Sequence, residues 1–273
     1  IRKAVIPAAG QGIRLNPVTR VVPKELLPVL NKPLIDYIIE ELIEAEVNQI
    51  AIVTSSRKSL IKEYLTSSFQ PHTKLSKHRG IDLQFIPQEI PNGLGNAILQ
   101  AKDFVGDSPF IVCLPDDLVF HHTSAVKQLQ TEYISLQHSL VGVVEVPTNE
   151  IPNYGIVKPV DQSIGSSFKV EYFVEKPISA DAPSNLAVIG RYLFTKNIMD
   201  FLSAYSGLVP DDDLLTKAKN QLAQENSVSA LRITGTRIDA GSTLGITQAA
   251  MFELCQNSGS WSQLNRFLKT IQA

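Results

Sequence analysis

Lys3-Ala4-Val5-Ile6-Pro7-Ala8-Ala9-Gly10-Gln11-Gly12-Ile13-Arg14 is the stretch that decides the fold, and Pro23-Lys24-Glu25-Leu26-Leu27-Pro28 and Asn31-Lys32-Pro33 extend it. The order is a buried strand, a glycine loop, then basic residues. Glycine lacks a Cβ, so such a loop folds tightly and can turn its backbone N–H groups toward phosphate oxygens. Arg14 and Lys24 supply positive charge of the kind needed where a phosphoryl group changes hands.

The glycine spacing alone is weak. A dinucleotide fold would want a third glycine at position 15, which is Leu15. The Gly-Lys-Ser/Thr tripeptide of the ATPase loop is missing. A bare Gly-x-Gly also fits a strand-to-loop turn whose glycines only satisfy backbone geometry. The downstream lysines and prolines favour phosphate binding.

Composition narrows the classes. A chain of 273 residues can bury a substantial core as one large α/β domain. Its formal net charge is −2, and its basic residues are dispersed, so no nucleic-acid partner is expected. Cys113 lies in the apolar run Phe110-Ile111-Val112-Cys113-Leu114 and reads as a core residue. Cys255 is far away in sequence, which argues against a disulfide framework or a zinc site. No apolar stretch approaches the ~20 residues that span a bilayer, and the N-terminal run is too short for a signal peptide. The expected compartment is the reducing cytoplasm, with no membrane partner.

Strand-like and helix-like patterns alternate through the first half. Strands are expected over 3–7, 49–54, 81–87, 110–114 and 139–146. Helices are expected over 33–46, 58–65, 92–104 and 123–136, with a polar loop over 66–80. That rhythm implies a mainly parallel sheet with helices on both faces and a ligand site beyond the carboxyl ends of the strands. From Ile151 the rhythm changes to short strands over 154–160, 168–175 and 186–194, an antiparallel region. Helices return over 196–204 and 212–225, a strand over 228–233 and a helix over 243–255. The tail carries Trp261, Leu264, Phe267, Leu268 and Ile271 at helical spacing and is expected to pack on the body or on a second subunit.

Seven segments in one order carry a resemblance: KAVIPAAGQG (3–12), PKELLPVLNKPLIDYIIEELIEA (23–45), PNGLGNAIL (91–99), LPDD (114–117), NYGIV (153–157), VEKP (174–177) and APSNLAVIGRYLF (182–194). The chain resembles the bacterial UTP–glucose-1-phosphate uridylyltransferase family of sugar-nucleotide pyrophosphorylases, from Lys3 to about Phe252. The resemblance implies a Rossmann-like mixed, mainly parallel sheet flanked by helices, of the nucleotide-diphospho-sugar transferase type, with a small antiparallel sugar-side region. It implies one domain over residues 1–258, with the nucleotide side about 1–150 and the sugar side about 151–258, then a helical tail over 259–273. A homo-oligomer, dimer or tetramer, is expected.

The resemblance also implies a reaction. A sugar 1-phosphate oxygen attacks the α-phosphorus of UTP in line, pyrophosphate leaves, and magnesium bridges the phosphates. Ala8, Ala9, Gly10, Gly12 and Arg14 would hold the nucleotide phosphates, and Lys24 would neutralise charge near the α-phosphate. Gln88 and Gly93 match base-reading positions; Gln88 offers a donor and an acceptor to a uracil edge. Asp116 and Asp239 match the magnesium carboxylates, an oxygen set suited to that ion. Asp117 is the rival ligand beside Asp116 and is expected to be a solvated turn or cap residue. Glu175 would accept from sugar hydroxyls, Lys176 would hold the sugar phosphate, and Gly155 would present backbone to the sugar. Asn185 and Arg191 fit either a sugar-pocket or a packing role.

His121 and His122 are adjacent, so on a strand they point to opposite sides, and surface positions are expected. Asp211-Asp212-Asp213 reads as a helix cap. Three features depart from the family pattern. Ile13 stands where threonine is common, PDDDLLTKA (210–218) replaces the acid after Leu215-Thr216 with Lys217, and the segment between Leu65 and Ile81 is short. Three functions therefore compete: a uridylyltransferase making UDP-glucose, a non-catalytic nucleotide-sugar-binding paralogue that regulates an active partner, and the same chemistry on dTTP or another sugar phosphate.

Overall fold

In the computed structural model, residues 1–68, 80–161, 165–256 and 258–271 are described. The strands are β1 (Lys3–Pro7), β2 (Pro28–Val29), β3 (Lys32–Pro33), β4 (Gln49–Thr54), β5 (Asp82–Pro87), β6 (Phe110–Cys113) and β7 (Asp117–Phe120), continuing with β8 (Ser139–Glu145), β9 (Gly155–Pro159), β10 (Ser167–Glu175), β11 (Leu186–Phe194), β12 (Val228–Arg232) and β13 (Thr236–Asp239). The helices are α1 (Leu34–Glu44), α2 (Ser59–Ser68), α3 (Leu94–Gln100), α4 (Lys102–Val105), α5 (Ala125–Leu136), α6 (Asn197–Tyr205), α7 (Leu214–Gln224), α8 (Thr243–Cys255) and α9 (Ser258–Ile271).

The main sheet runs β5-β4-β1-β6-β11-β8-β12-β10-β9. Its first four strands are parallel. β11 enters antiparallel between β6 and β8, β12 lies parallel to β8, and β10 and β9 close the far edge antiparallel. The sheet is mixed, as expected, but it is not mainly parallel: among the described residues four of its strand pairings are parallel and five antiparallel, and the antiparallel ones are not confined to a peripheral region. β11 sits at the centre because every one of its residues, LAVIGRYLF, is buried. Composition marks an interior strand of that kind but cannot give its direction.

Alternation along β1 sends side chains to two cores. Ala4 and Ile6 join Leu34, Ile38, Leu42, Ile61, Val126 and Leu129 on one face. Val5 joins Ile98, Ile198, Leu202, Leu215 and Leu222 on the other. α1 buries Leu34, Ile35, Ile38, Ile39 and Leu42, the helical spacing read in the sequence.

The remaining differences are local. The helix expected over 92–104 is two helices, α3 and α4, with a turn at Ala101 that no Gly or Pro announces. The β2–β3 and β7–β13 ribbons were not expected; pieces of two to four residues carry no periodicity to read. α2 runs on to Ser68, past the end expected at 65 and into the span expected as loop, and 69–79 lies outside the described residues. α9 packs on α8, with Phe267 left 59% exposed. No helix among the described residues is long and apolar enough to cross a membrane.

Candidate active site

β1 leads into the glycine loop. Gly12 takes φ 66°, a conformation that glycine adopts without a Cβ clash. Its carbonyl accepts from Thr19 Oγ1 at 2.9 Å, and the chain turns through Ile13–Leu15, bringing Arg14 over the sheet. Arg14 donates to Asp239 through Nη1 at 2.9 Å and lies 3.9 Å from Asp116. A second short turn, Lys24–Leu26, follows Pro23 and sends Lys24 to Asp116 Oδ2 at 2.6 Å.

Asp116 and Asp239 come from segments joined by the β7–β13 ribbon, in which Asp117 pairs with Asp239. The N–H of Ala240 donates to the carbonyl of Asp116 at 2.7 Å. A Cβ placed on Gly241 would meet Arg14 Nη2 first and stand 2.6 Å from Asp116 Oδ2 and 2.9 Å from Asp239 Oδ1, so both carboxylates and the Arg14 guanidinium border one small space. Two carboxylates converging on one space form a hard oxygen set that fits a divalent cation completed by water and phosphate oxygens. No group of three or more His, Cys, Asp or Glu clusters this way among the described residues.

Electrostatics hold this centre charged. Burial would push the Asp116 carboxyl up, but the Lys24 charge and hydrogen bond outweigh it and leave it below its ordinary range. Burial works against the Lys24 ammonium, and Asp116 and Glu25 more than offset it, so it sits above its ordinary value. Beneath the loop, fully buried Glu25 accepts from Lys58 at 2.9 Å, and Lys58 also donates to the Ala8 carbonyl at 2.8 Å.

Two adjoining cavities meet at this centre. One, of about 320 Å³, is lined by Ala9, Gly10, Lys24, Gln88, Gly93 and Asp116. The other, of about 570 Å³, reaches from Arg14, Asp116 and Asp239 past Gly155, Glu175 and Lys176 to Lys219. Glu175 accepts from Thr216 Oγ1 at 3.2 Å and lies 3.9 Å from Lys176 Nζ. The structure thus gathers most of the residues singled out in the sequence, although Gly12 lines neither cavity.

The exceptions are informative. Ala8 is fully buried, and its N–H and carbonyl are spent on Val53 and Lys58, so it presents nothing to a phosphate. Asn185 is exposed beside a separate depression near Lys158 and Arg232, away from Glu175. Arg191 serves packing: it is fully buried and pairs with Glu41 at 2.7 Å. Gln88 does line the smaller cavity, but it is buried and its Nε2 donates to Asn92, Gly93 and Asn96, fixing the loop that opens α3.

Asp117 is not solvated, contrary to the expectation. Only 4% exposed, it accepts from the Gly190 N–H at 2.7 Å and from Arg237 Nε at 2.7 Å, which commits both oxygens and removes it as a rival ligand. Arg237 also donates to the Tyr154 hydroxyl at 2.7 Å, a link between the ribbon and the segment that leads into β9 that no spacing predicted. Asp211–Asp213 form a short turn ahead of α7, and no side-chain capping bond is made; their charge still suits a helix start. His121 and His122 are exposed as expected. They lie past the end of β7, and their ring centroids are 3.9 Å apart, tilted by 41°, instead of facing opposite ways. Of the departures, Ile13 points to solvent at 68% exposure and Lys217 is exposed, so neither intrudes on the cavities.

The fold and this centre define a transferase of nucleotidyl groups: the nucleotidyl transferase family model matches residues 3–255, and the chain belongs to that family. It is 38% identical to the UTP–glucose-1-phosphate uridylyltransferase of Bacillus subtilis, over 98% of this chain and 96% of that protein. A UTP-bound UGPase from Acinetobacter baumannii superposes with a TM-score of 0.87 at 32% identity, covering 98% of each chain. A UDP-glucose pyrophosphorylase complexed with UDP-glucose superposes with a TM-score of 0.82 at 34% identity, covering 94% of this chain and all of that one.

Proposed function

We propose that this chain transfers a uridylyl group from UTP to glucose 1-phosphate, giving UDP-glucose and pyrophosphate. One observation carries the reading: Asp116 lines both cavities and meets Asp239, Lys24 and Arg14 at their junction. The smaller cavity takes the nucleotide, on the side built mostly from residues 1–150, and the larger takes the sugar, from residues 151–258. The relatives named for UTP and UDP-glucose support these two ligands.

Gly10 and Gly12 present backbone to the phosphates, with Arg14 beside the departing pyrophosphate. Lys24, already charged and fixed against Asp116, neutralises the α-phosphate as negative charge accumulates. Lys176 holds the sugar phosphate, so its oxygen is aligned with the α-phosphorus. Glu175 and the Gly155 backbone orient the sugar. Gln88 and Gly93 border the base. Asp116 and Asp239 would hold a magnesium ion, whose bound charge supplies Lewis-acid stabilisation of the reacting phosphates.

A cytoplasmic location and a homo-oligomer, dimer or tetramer, belong to the same proposal. The free thiols Cys113 and Cys255 support a reducing compartment. The test is pyrophosphate release from UTP and glucose 1-phosphate with magnesium. Release dependent on both substrates is expected, and its absence from folded protein overturns the reading.

A further inference from the structure

Lys219 stands at the sugar end of the larger cavity and has no role in the scheme above. It is only 2% exposed yet contributes to the cavity lining. α7 brings it there: Leu215 and Leu222 share its buried face, one helical turn away on either side. Its ammonium makes no hydrogen bond or ion pair among the described residues. It rests 4.6 Å from the Phe173 ring centroid and 6.0 Å from that of Tyr192. Glu175 is the charge that acts on it, and Glu175 is itself bonded to Thr216.

A buried cation without a partner is expensive. Ring faces recover part of that cost and leave the ammonium's donors unused. A neutral hydroxyl could be read by a neutral amide without burying a charge. A carboxylate is the ligand group that repays a cation. The sugar end already has an acceptor for hydroxyls in Glu175, so a cation beside it adds recognition of a different kind.

We infer that Lys219 determines specificity at the sugar end and admits sugar 1-phosphates bearing a carboxylate, the hexuronic acid 1-phosphates, beside neutral hexose phosphates. This rests on the reading that the cleft holds a nucleotide sugar. The ammonium pairs with the sugar carboxylate while Glu175 keeps the hydroxyls.

Calorimetric binding of UDP-glucuronate and UDP-glucose to the wild type and to Lys219→Met tests it, with UTP binding as the check on folding. Wild type is expected to bind UDP-glucuronate no more than about tenfold more weakly than UDP-glucose. The variant is expected to shift the ratio of the two dissociation constants against UDP-glucuronate by about tenfold or more. A wild type that discriminates more strongly against UDP-glucuronate overturns the inference, even if the variant does not fold. So does a variant that weakens both sugars equally, which marks a hydroxyl donor. Binding without pyrophosphate release from glucose 1-phosphate would instead count against the transferase reading and leave this one standing.

Discussion

The backbone N–H of Ala240 donates to the carbonyl of Asp116 at 2.7 Å, one residue beyond the antiparallel pair Asp117–Asp239. The two carboxylates proposed to hold the metal are therefore set by main-chain bonding across a ribbon, not by loop conformation. Changing one side chain should leave the other in place.

Asp239→Asn should lower turnover by about 100-fold or more by removing a charge from the centre, with little loss of stability because Asp239 is partly exposed and Arg14 reaches solvent. Asp116→Asn should lower turnover as far and also cost about 2 kcal/mol, since Lys24 loses a buried charged partner. Steady-state kinetics beside urea unfolding separates the two; equal stability losses would show that the Lys24 pair carries no weight.

Gly241→Ala should reduce activity by about 100-fold, because a methyl group there meets Arg14, Asp116 and Asp239 together. The magnesium concentration giving half-maximal rate should rise in parallel. Unchanged magnesium dependence would place the ion elsewhere.

Burial lowers the Lys219 ammonium from 10.5 to about 8. The unfolded chain therefore holds one more proton between those values, so wild-type stability from this group rises as pH goes from about 8 to 10.5 and is lowest below 8. Lys219→Met should unfold at higher urea than wild type at pH 7, by about 3 kcal/mol, with the gap closing toward pH 10.5. A gap that is flat with pH would mean that the lysine stays charged or exits to water.

Glu41 accepts from Arg191 Nε and Nη2 and from the N–H of Val126, tying α1, β11 and α5 together. Arg191→Met should cost about 3–5 kcal/mol by stranding the Glu41 carboxylate. Adding Glu41→Gln should recover part of that loss. Chemical denaturation of the two single variants and the double variant measures the coupling, and additive losses would dismiss it.

Much of the fold was legible because the elements that build it are long. β1, α1 and β11 announce themselves by unbroken or periodic apolar positions. The cleft was legible because motif residues stand at strand ends, where parallel strands open onto a site. What escaped was pairing between distant polar groups. Nothing adjacent to Asp117 in sequence announces Arg237, and Glu25 gives no sign of Lys58. Lys219 did carry a signal, since it falls on the apolar face shared by Leu215 and Leu222. The strand directions beyond residue 151 and the split between α3 and α4 depend on tertiary contacts that local preference does not encode.

The place of β11 has a consequence for synthesis on the ribosome. β6 and β8 are never neighbours in the finished sheet; residues 186–194 must arrive and wedge between them. The four-stranded parallel layer can pair as soon as residue 113 has emerged, while its exposed flank waits for a strand some seventy residues away along the chain. An unsealed apolar border of that length invites sticking to other nascent chains. Chaperone demand should therefore peak before residue 194 clears the exit tunnel and fall once the wedge is seated.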